Sequence, residues 1–134
     1  MTITGAIYSQ LAADAGVQAI AGDPVRIYLS SSDEGIYPLA TIDVEDEPDD
    51  AISKRALQEF TVSIEAAALS TADAQALADA IRQALDRQTW THGTISVASC
   101  MFNGASTSSY SDAGNVDRMY HLVEQHYSVL ASGI

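Results

Sequence analysis

The chain has 134 residues, which is enough for one domain that buries its own hydrophobic core. Its 18 acidic and 6 basic residues give a net charge of −12, which excludes tight binding to a nucleic-acid backbone, because such binding requires clustered Lys and Arg side chains. Hydrophobic residues make up 47% of the chain, but no run reaches the roughly 20 apolar residues of a membrane span, so we expect a globular protein outside the membrane.

The first predicted elements are a helix and a short strand. Thr4 is a suitable N-cap for a helix that runs to about Asp14, and Gly16 is expected to end this helix. Residues Val17 to Ala21 are compatible with one further helical turn. After a Gly-Asp-Pro turn, residues Val25 to Leu29 are predicted to form a short strand.

Two longer strands are predicted next, each preceded or followed by a polar loop. Ser30 to Pro38 is a polar loop, and Leu39 to Glu45 then alternates between apolar and polar residues, as half-buried strands do. Asp46 to Ile52 is an acidic loop. The clearest strand is Leu57 to Ala67, and we expect the two strands to be antiparallel neighbours.

The least ambiguous signal in the chain is a helix between Ser70 and Arg87. Its apolar residues recur every third or fourth position, which places them on one side of a helix. Ser70 is suited to cap the first turn, with Asp73 near the positive helix end. The residues expected to be buried in the core by this helix are Ala74, Leu77, Ala78, Ile81 and Leu85.

The last third of the chain is predicted to contain two strands separated by a long loop. Trp90, His92 and Gly93 are expected to form a turn, and Thr94 to Phe102 is a strand with Ile95, Val97 and Met101 on one face. Asn103 to Asn115 is so rich in Ser, Thr and Gly that a mobile polar loop is expected. Val116 to Leu130 alternates with large residues on both faces, which indicates a central strand or one covered by another subunit.

Together these elements predict a single α+β domain over residues 1–134. We expect an antiparallel or mixed sheet of about four to five strands, with two helices packed on one face. The start of the chain lacks the basic and apolar pattern of a secretory signal, and Cys100 has no second cysteine for a disulfide. We therefore expect the protein to act in the reducing compartment where it is made.

The sequence offers no constellation for catalysis or metal binding. Counted from Asp43, an EF-hand loop would need a bidentate Glu at the position of Lys54, and it would need a glycine that is missing. His121 and His126 are five apart in a predicted strand and should face opposite sides. No serine lies in a nucleophile elbow. We expect no enzyme activity, no metal and no cofactor.

With no catalytic or metal-binding pattern in the sequence, we expect the protein to act through contacts between its surface and other proteins. A tyrosine in a polar loop has no core to support, and tyrosine is enriched at protein interfaces, so Tyr110 is the first candidate contact residue. The two loops that are rich in polar and acidic residues supply the other candidates. The candidate residues for contact with a neighbouring subunit or partner are Tyr110, Asp112, Asn115, Asp46, Glu47 and Asp49.

The succession of segments resembles a known family. It comprises DAGVQAIAG, RIY, LQEFTVSIEAAA, STADAQALADAIRQALD and RMYHLVEQHYSV, which begin at Asp14, Arg26, Leu57, Ser70 and Arg118. This succession is similar to that of the tail-completion or tail-terminator proteins of long-tailed bacteriophages and gene transfer agents. The most specific part is the long helix with the strand before it.

The resemblance implies a structural virion protein that is assembled in the host cytoplasm. It implies a hexameric ring at the head-proximal end of the tail tube, which ends tube polymerisation and offers a docking face to the capsid neck. The implied partners are further copies of the chain, the tail tube protein and a neck or head-tail connector protein, with DNA passing through the lumen without tight binding. Two alternatives stay open, namely another neck or head-tail joining component of the same fold, or a small enzyme or ligand-binding domain.

Overall fold

In the part of the chain that the structure describes, three helices pack on one face of a mixed six-stranded sheet. The computed structural model describes residues 2–29, 36–46, 57–112 and 115–133. The elements in chain order are α1 (Ile3–Ala12), α2 (Ala15–Ala21), β1 (Ile27–Tyr28), β2 (Leu39–Asp46), β3 (Gln58–Ala68), α3 (Thr71–Leu85), β4 (Trp90–His92), β5 (Ile95–Asp112) and β6 (Asn115–Ser132). The strand order is β1-β2-β3-β6-β5-β4, and only the β1–β2 pair is parallel among these described strands. The predicted α+β class and mixed sheet are confirmed.

The numbers of helices and strands are each larger than predicted, and α2 is the additional helix. The prediction that Gly16 ends the first helix is wrong, because Gly16 lies inside α2. The Asp14 carboxylate caps α2 by accepting a hydrogen bond from the Val17 N–H at 3.0 Å. The predicted N-cap Thr4 is also wrong, since the Thr2 hydroxyl accepts from the Gly5 N–H and α1 starts at Ile3.

The additional strand is β4, where the sequence predicted a turn. Trp90 to His92 pair with β5 at Ile95 to Val97, and only the two residues between these segments form the turn. The Trp90 indole N–H donates to the carbonyl oxygen of Ala6 in α1 at 3.0 Å. This bond ties the edge strand β4 to the helical layer.

Helix α3 is the confirmed centre of the core. The Ser70 hydroxyl accepts a hydrogen bond from the Asp73 N–H at 3.1 Å, as predicted for its N-cap. The predicted core residues Leu77, Ile81 and Leu85 are at most 1% exposed, and Ala74 and Ala78 are equally buried. They pack against the apolar side of β3, whose Phe60, Val62, Ile64, Ala66 and Ala68 all belong to the same core.

Strand β6 is the central strand, which confirms one of the two predictions made from its two-faced pattern. It pairs with β3 on one side and with β5 on the other. On the helix side Gln125 is buried among apolar residues, and its amide donates to the Ala78 carbonyl oxygen at 2.9 Å. The Tyr127 hydroxyl donates to the Gln125 amide oxygen at 2.9 Å, so both polar groups are satisfied within the core.

Two predictions for the segment after β4 are wrong. Met101 was expected beside Ile95 and Val97, but a β-bulge between Val97 and Ser99 reverses the alternation. Cys100 is therefore buried, whereas Met101 is 41% exposed. The predicted loop at residues 103–115 is instead a continuation of the β5–β6 hairpin, with two residues, 113–114, between the strands.

The burial of α3 makes a direct prediction for stability. Leu77→Asp forces a carboxylate into the helix–sheet core, at a cost of several kcal/mol against a typical total stability of about 5–15 kcal/mol. We expect this variant to lose cooperative thermal unfolding by circular dichroism. Ala76→Asp, on the exposed side of the same helix, should cost less than about 1 kcal/mol. Similar melting of the two variants would contradict the burial of this helix.

Candidate assembly surface

The end of the β5–β6 hairpin extends beyond the rest of the sheet. Strand β3 ends at Ala68, which pairs with His121, and His121 in turn pairs with Ser109. Past this point, residues 110–112 of β5 and 115–120 of β6 continue as a ribbon of two strands, in which the pairs among the described strands are Tyr110 with Tyr120, Ser111 with Met119 and Asp112 with Asn115. We call these residues the hairpin arm. A two-stranded ribbon is only marginally stable in water, so an arm of this kind gains stability when another surface covers it.

Three tyrosines form a row at the base of the hairpin arm. The ring centroid of Tyr120 lies 5.1 Å from that of Tyr110 and 5.2 Å from that of Tyr37, distances typical of favourable aromatic pairs. Tyr110 is 50% exposed and Met119 is 41% exposed. We call Tyr37, Tyr120 and Tyr110 the tyrosine row. It places Tyr110 on a strand, not in the loop from which the sequence prediction argued.

The sequence reasoning missed this row because it did not pair the two strands. Once β5 and β6 are aligned, Tyr110 lies directly opposite Tyr120. Residues that are directly opposite on antiparallel strands share a face and contact each other. The pairing itself depends on the bulges in β5, so the spacing along the sequence did not indicate it.

The other candidate contact residues do not join Tyr110 in one surface. Asp112 and Asn115 pair with each other at the turn end of the hairpin arm. Asp46 is the last residue of β2 and pairs with Thr61, seven residues or roughly 23 Å along β3 from Ala68, where the arm begins. The remaining candidates, Glu47 and Asp49, lie outside the described residues.

The helix-free face of the sheet carries an unfavourable pair of carboxylates. Glu65 of β3 is directly opposite Glu124 of β6. Burial, together with the nearby charge of Glu124, raises the pKa of Glu65 above its ordinary value of 4.5. His126 lies on the same face, with its Nε2 atom 3.6 Å from a carboxylate oxygen of Glu124. This face is therefore polar and acidic beside the tyrosine row.

The geometry offers little to support chemistry. Burial and the Asp86 carboxylate raise the pKa of the Cys100 thiol to about 12, so this thiol is not a reactive thiolate. In the part of the chain that is described, no group of three His, Cys, Asp or Glu side chains is arranged to hold a metal ion. None of the described helices is long and apolar enough to cross a membrane. The exposed features with clear geometry are surfaces for contact.

Comparison with known proteins identifies a family and a shared fold. A family model described as tail completion protein gp17 matches residues 5–127. A solved structure described as the virion of a native gene transfer agent particle contains a chain with the same fold, at a TM-score of 0.63 and 21% identity, covering 95% of this chain and 92% of that one. No protein with a curated description matches the chain.

The Glu65–Glu124 pair predicts an unusual pH dependence. Because the folded-state pKa of Glu65 is raised, folding favours its protonated form, and the associated stability is lost as pH rises through that pKa. We expect Glu65→Gln to increase the free energy of unfolding at pH 7 by roughly 0.2–1 kcal/mol, the size typical of a cross-strand pair. The gain should shrink as pH falls through the raised folded-state pKa of Glu65, and it should be absent below about pH 4, where the carboxyl is protonated in both the folded and the unfolded chain.

The control for this experiment is Glu59→Gln. Glu59 lies on the same strand and face but opposite Leu130, so its neutralisation removes no repulsion across the strands. Urea unfolding at several pH values measures both variants. Equal effects of the two substitutions at pH 7 would count against a specific Glu65–Glu124 repulsion.

Proposed function

The chain belongs to the family of tail completion protein gp17, structural proteins of the virion tail, and from that premise we propose that it is the tail terminator. In this proposal six copies form a ring at the head-proximal end of the tail tube. The ring ends polymerisation of the tail tube protein and provides the face to which the neck or head-tail connector protein docks.

The observation that carries the proposal is the extent of the family match. It begins in α1 and runs to Tyr127, so it includes all three described helices and most of the sheet. A match of this extent concerns the whole domain and not a shared local motif. The fold shared with a chain of the gene transfer agent virion adds support at the level of architecture.

The exposed features fit a protein that acts by contact with copies of itself. A closed ring needs two different surfaces on each subunit, because each subunit contacts one neighbour on either side. The hairpin arm and the tyrosine row offer exposed aromatic and apolar area at one end of the sheet. Tyrosines of this kind are enriched at the centres of protein interfaces.

The charge of the chain fits a conduit for DNA. Six copies with a net charge of −12 each carry about −72, which repels phosphate at short range and lets a duplex pass without binding. Two of the six basic residues are engaged within the fold. The Arg26 guanidinium donates to the Pro38 carbonyl oxygen at 3.0 Å, and the Arg82 guanidinium lies 3.8 Å from the centroid of the Phe102 ring.

The proposal predicts that the protein limits the length of tail tubes. Purified tail tube protein that polymerises without limit should give shorter tubes when this protein is added, with one ring at one tube end by negative-stain microscopy. Tails isolated before head attachment should already contain the protein. Its absence from such tails, together with its presence in head-attached particles, would favour a neck or joining component instead.

The tyrosine row predicts a defect in assembly without a defect in folding. Tyr110→Ala removes a half-exposed ring whose described aromatic contact is with Tyr120, so we expect little change in melting temperature. Ring formation, measured by native mass spectrometry, should be weakened. Tyr110→Phe keeps the aromatic ring and should assemble like the native chain. A Tyr110→Ala variant that assembles normally would remove the tyrosine row from the interface.

A further inference from the structure

The outer edge of β5 is covered along only part of its length. Strand β4 pairs with the first residues of β5, Ile95 to Val97. The next part of the edge is covered by the segment after α3. There the Arg87 N–H donates to the Cys100 carbonyl oxygen at 2.7 Å, and the Asp86 carboxylate accepts from the Phe102 N–H at 3.0 Å. Among the described residues, nothing pairs with the outer edge of β5 after Phe102.

The register shows which backbone groups point out of this edge. The Phe102 N–H donates to Asp86, so Phe102 and its partner Tyr127 form a non-hydrogen-bonded pair in the β5–β6 ladder. The pairing of β6 with β3 has no irregularity, so every second residue of β6 keeps the orientation of Tyr127. The partners of Gln125, Val123 and His121 therefore also point their N–H and C=O groups outwards. These partners are Ala105, Thr107 and Ser109.

This part of the edge lacks the usual protection against pairing with another chain. Natural edge strands carry charges, especially Lys, or Pro, or are twisted away by bulges. The eight residues from Gly104 to Ser111 contain no charged residue and no proline, in a chain with 24 charged side chains. The pairing of β5 with β6 is regular from Gly104 to Ser111, between the bulge after Phe102 and the register shift before Asp112. The result is a regular, uncharged strand edge whose outward amides have no partner among the described residues.

We propose that the β5 edge at Ala105, Thr107 and Ser109 pairs with a strand of a second copy of this chain. This inference rests on the proposed ring. The pairing strand is the outer edge of β2 at residues 42–46, since among the described residues β1 pairs only with Ala40 and Thr41. The pairing of β2 with β3 shifts its register between Val44 and Asp46, within this part of the strand. The two edges lie on opposite sides of the sheet, so their pairing joins subunits head to tail.

Charge and length support a second copy as the occupant. Two chains of net charge −12 repel each other over most of their surfaces, and the open part of β2 itself carries Asp43, Glu45 and Asp46. Because the β5 edge carries no charge, pairing it with β2 places no like charges opposite each other. The open part of β2 spans five residues, and the β5 segment from Ala105 to Ser109 is of the same length. Main-chain hydrogen bonds between edges of this kind provide affinity in strand addition.

A proline at Thr107 tests the proposal. Thr107→Pro removes an outward N–H and adds a ring at the edge, while the bonds from β5 to β6 stay intact. We expect the monomer to melt within a few degrees of the native chain, and ring formation by native mass spectrometry to fall by about tenfold or more. Thr107→Val keeps the N–H and should assemble normally. Ser106→Pro, whose N–H faces β6, should lower the melting temperature of the monomer instead.

Hydrogen exchange on the native chain gives a second measurement that needs no variant. In the monomer the amides of Ala105, Thr107 and Ser109 should exchange fast, and those of Ser106 and Ser108 slowly; in the ring all five should be protected. A native ring in which Thr107→Pro assembles normally, or in which the three outward amides stay unprotected, would overturn the inference and leave the proposed function standing. A native chain that forms no ring, alone or on tail tubes, would overturn both.

Discussion

The contact between the apolar side of α3 and the centre of the sheet is the interaction on which the rest of the structure depends. Strands β3 and β6 pair along all eleven residues of β3 and together form the floor beneath Leu77, Ile81 and Leu85. The same contact fixes the register of β6, because a shift by one residue would turn Val123 and Tyr127 away from the helix. A fixed β6 then aligns the longer β5 beside it. The contact of α3 with the sheet thus determines where the outer edge of β5 and the hairpin arm lie.

Buried polar groups make this contact specific. Burying Gln125 beneath α3 would be costly without partners, but its amide bonds the Ala78 carbonyl oxygen and the Tyr127 hydroxyl. An alternative seating of α3 would leave these groups unsatisfied within an apolar core. The segment after α3 adds a second link, since Asp86 and Arg87 hydrogen-bond the edge of β5. The helix therefore determines both where the sheet lies and where its edge stops being covered.

The sequence predicted the features that depend on a single segment, and it did not predict those that depend on the pairing of distant strands. The apolar stripe of α3 and the apolar–polar alternation of β2 and β3 are each contained in one short segment, so the periodicity of the sequence predicted these elements. Residues 103–112 contain few apolar side chains, and their strand conformation comes from pairing with β6, so composition indicated a loop. The bulge before Ser99 is likewise a feature of the pairing with β6, so the sequence did not indicate that it would reverse the face of Met101. The tyrosine row needed the register of two strands, and the acidic loop candidates Glu47 and Asp49 lie outside the described residues.

The acidity of the chain restricts where two copies can meet. At a net charge of −12 the long-range force between copies is repulsive, and a surface such as that around Glu65 and Glu124 already carries repulsion within one subunit. Contacts must then avoid placing like charges opposite each other, and they must form where short-range interactions are strong. Backbone hydrogen bonds and aromatic contacts meet this requirement, because neither depends on net charge. In the proposed ring, the uncharged edge of β5 and the adjoining tyrosine row would combine both kinds of interaction along one hairpin. The −12 charge that would favour passage of DNA would then also confine contacts between copies to such places.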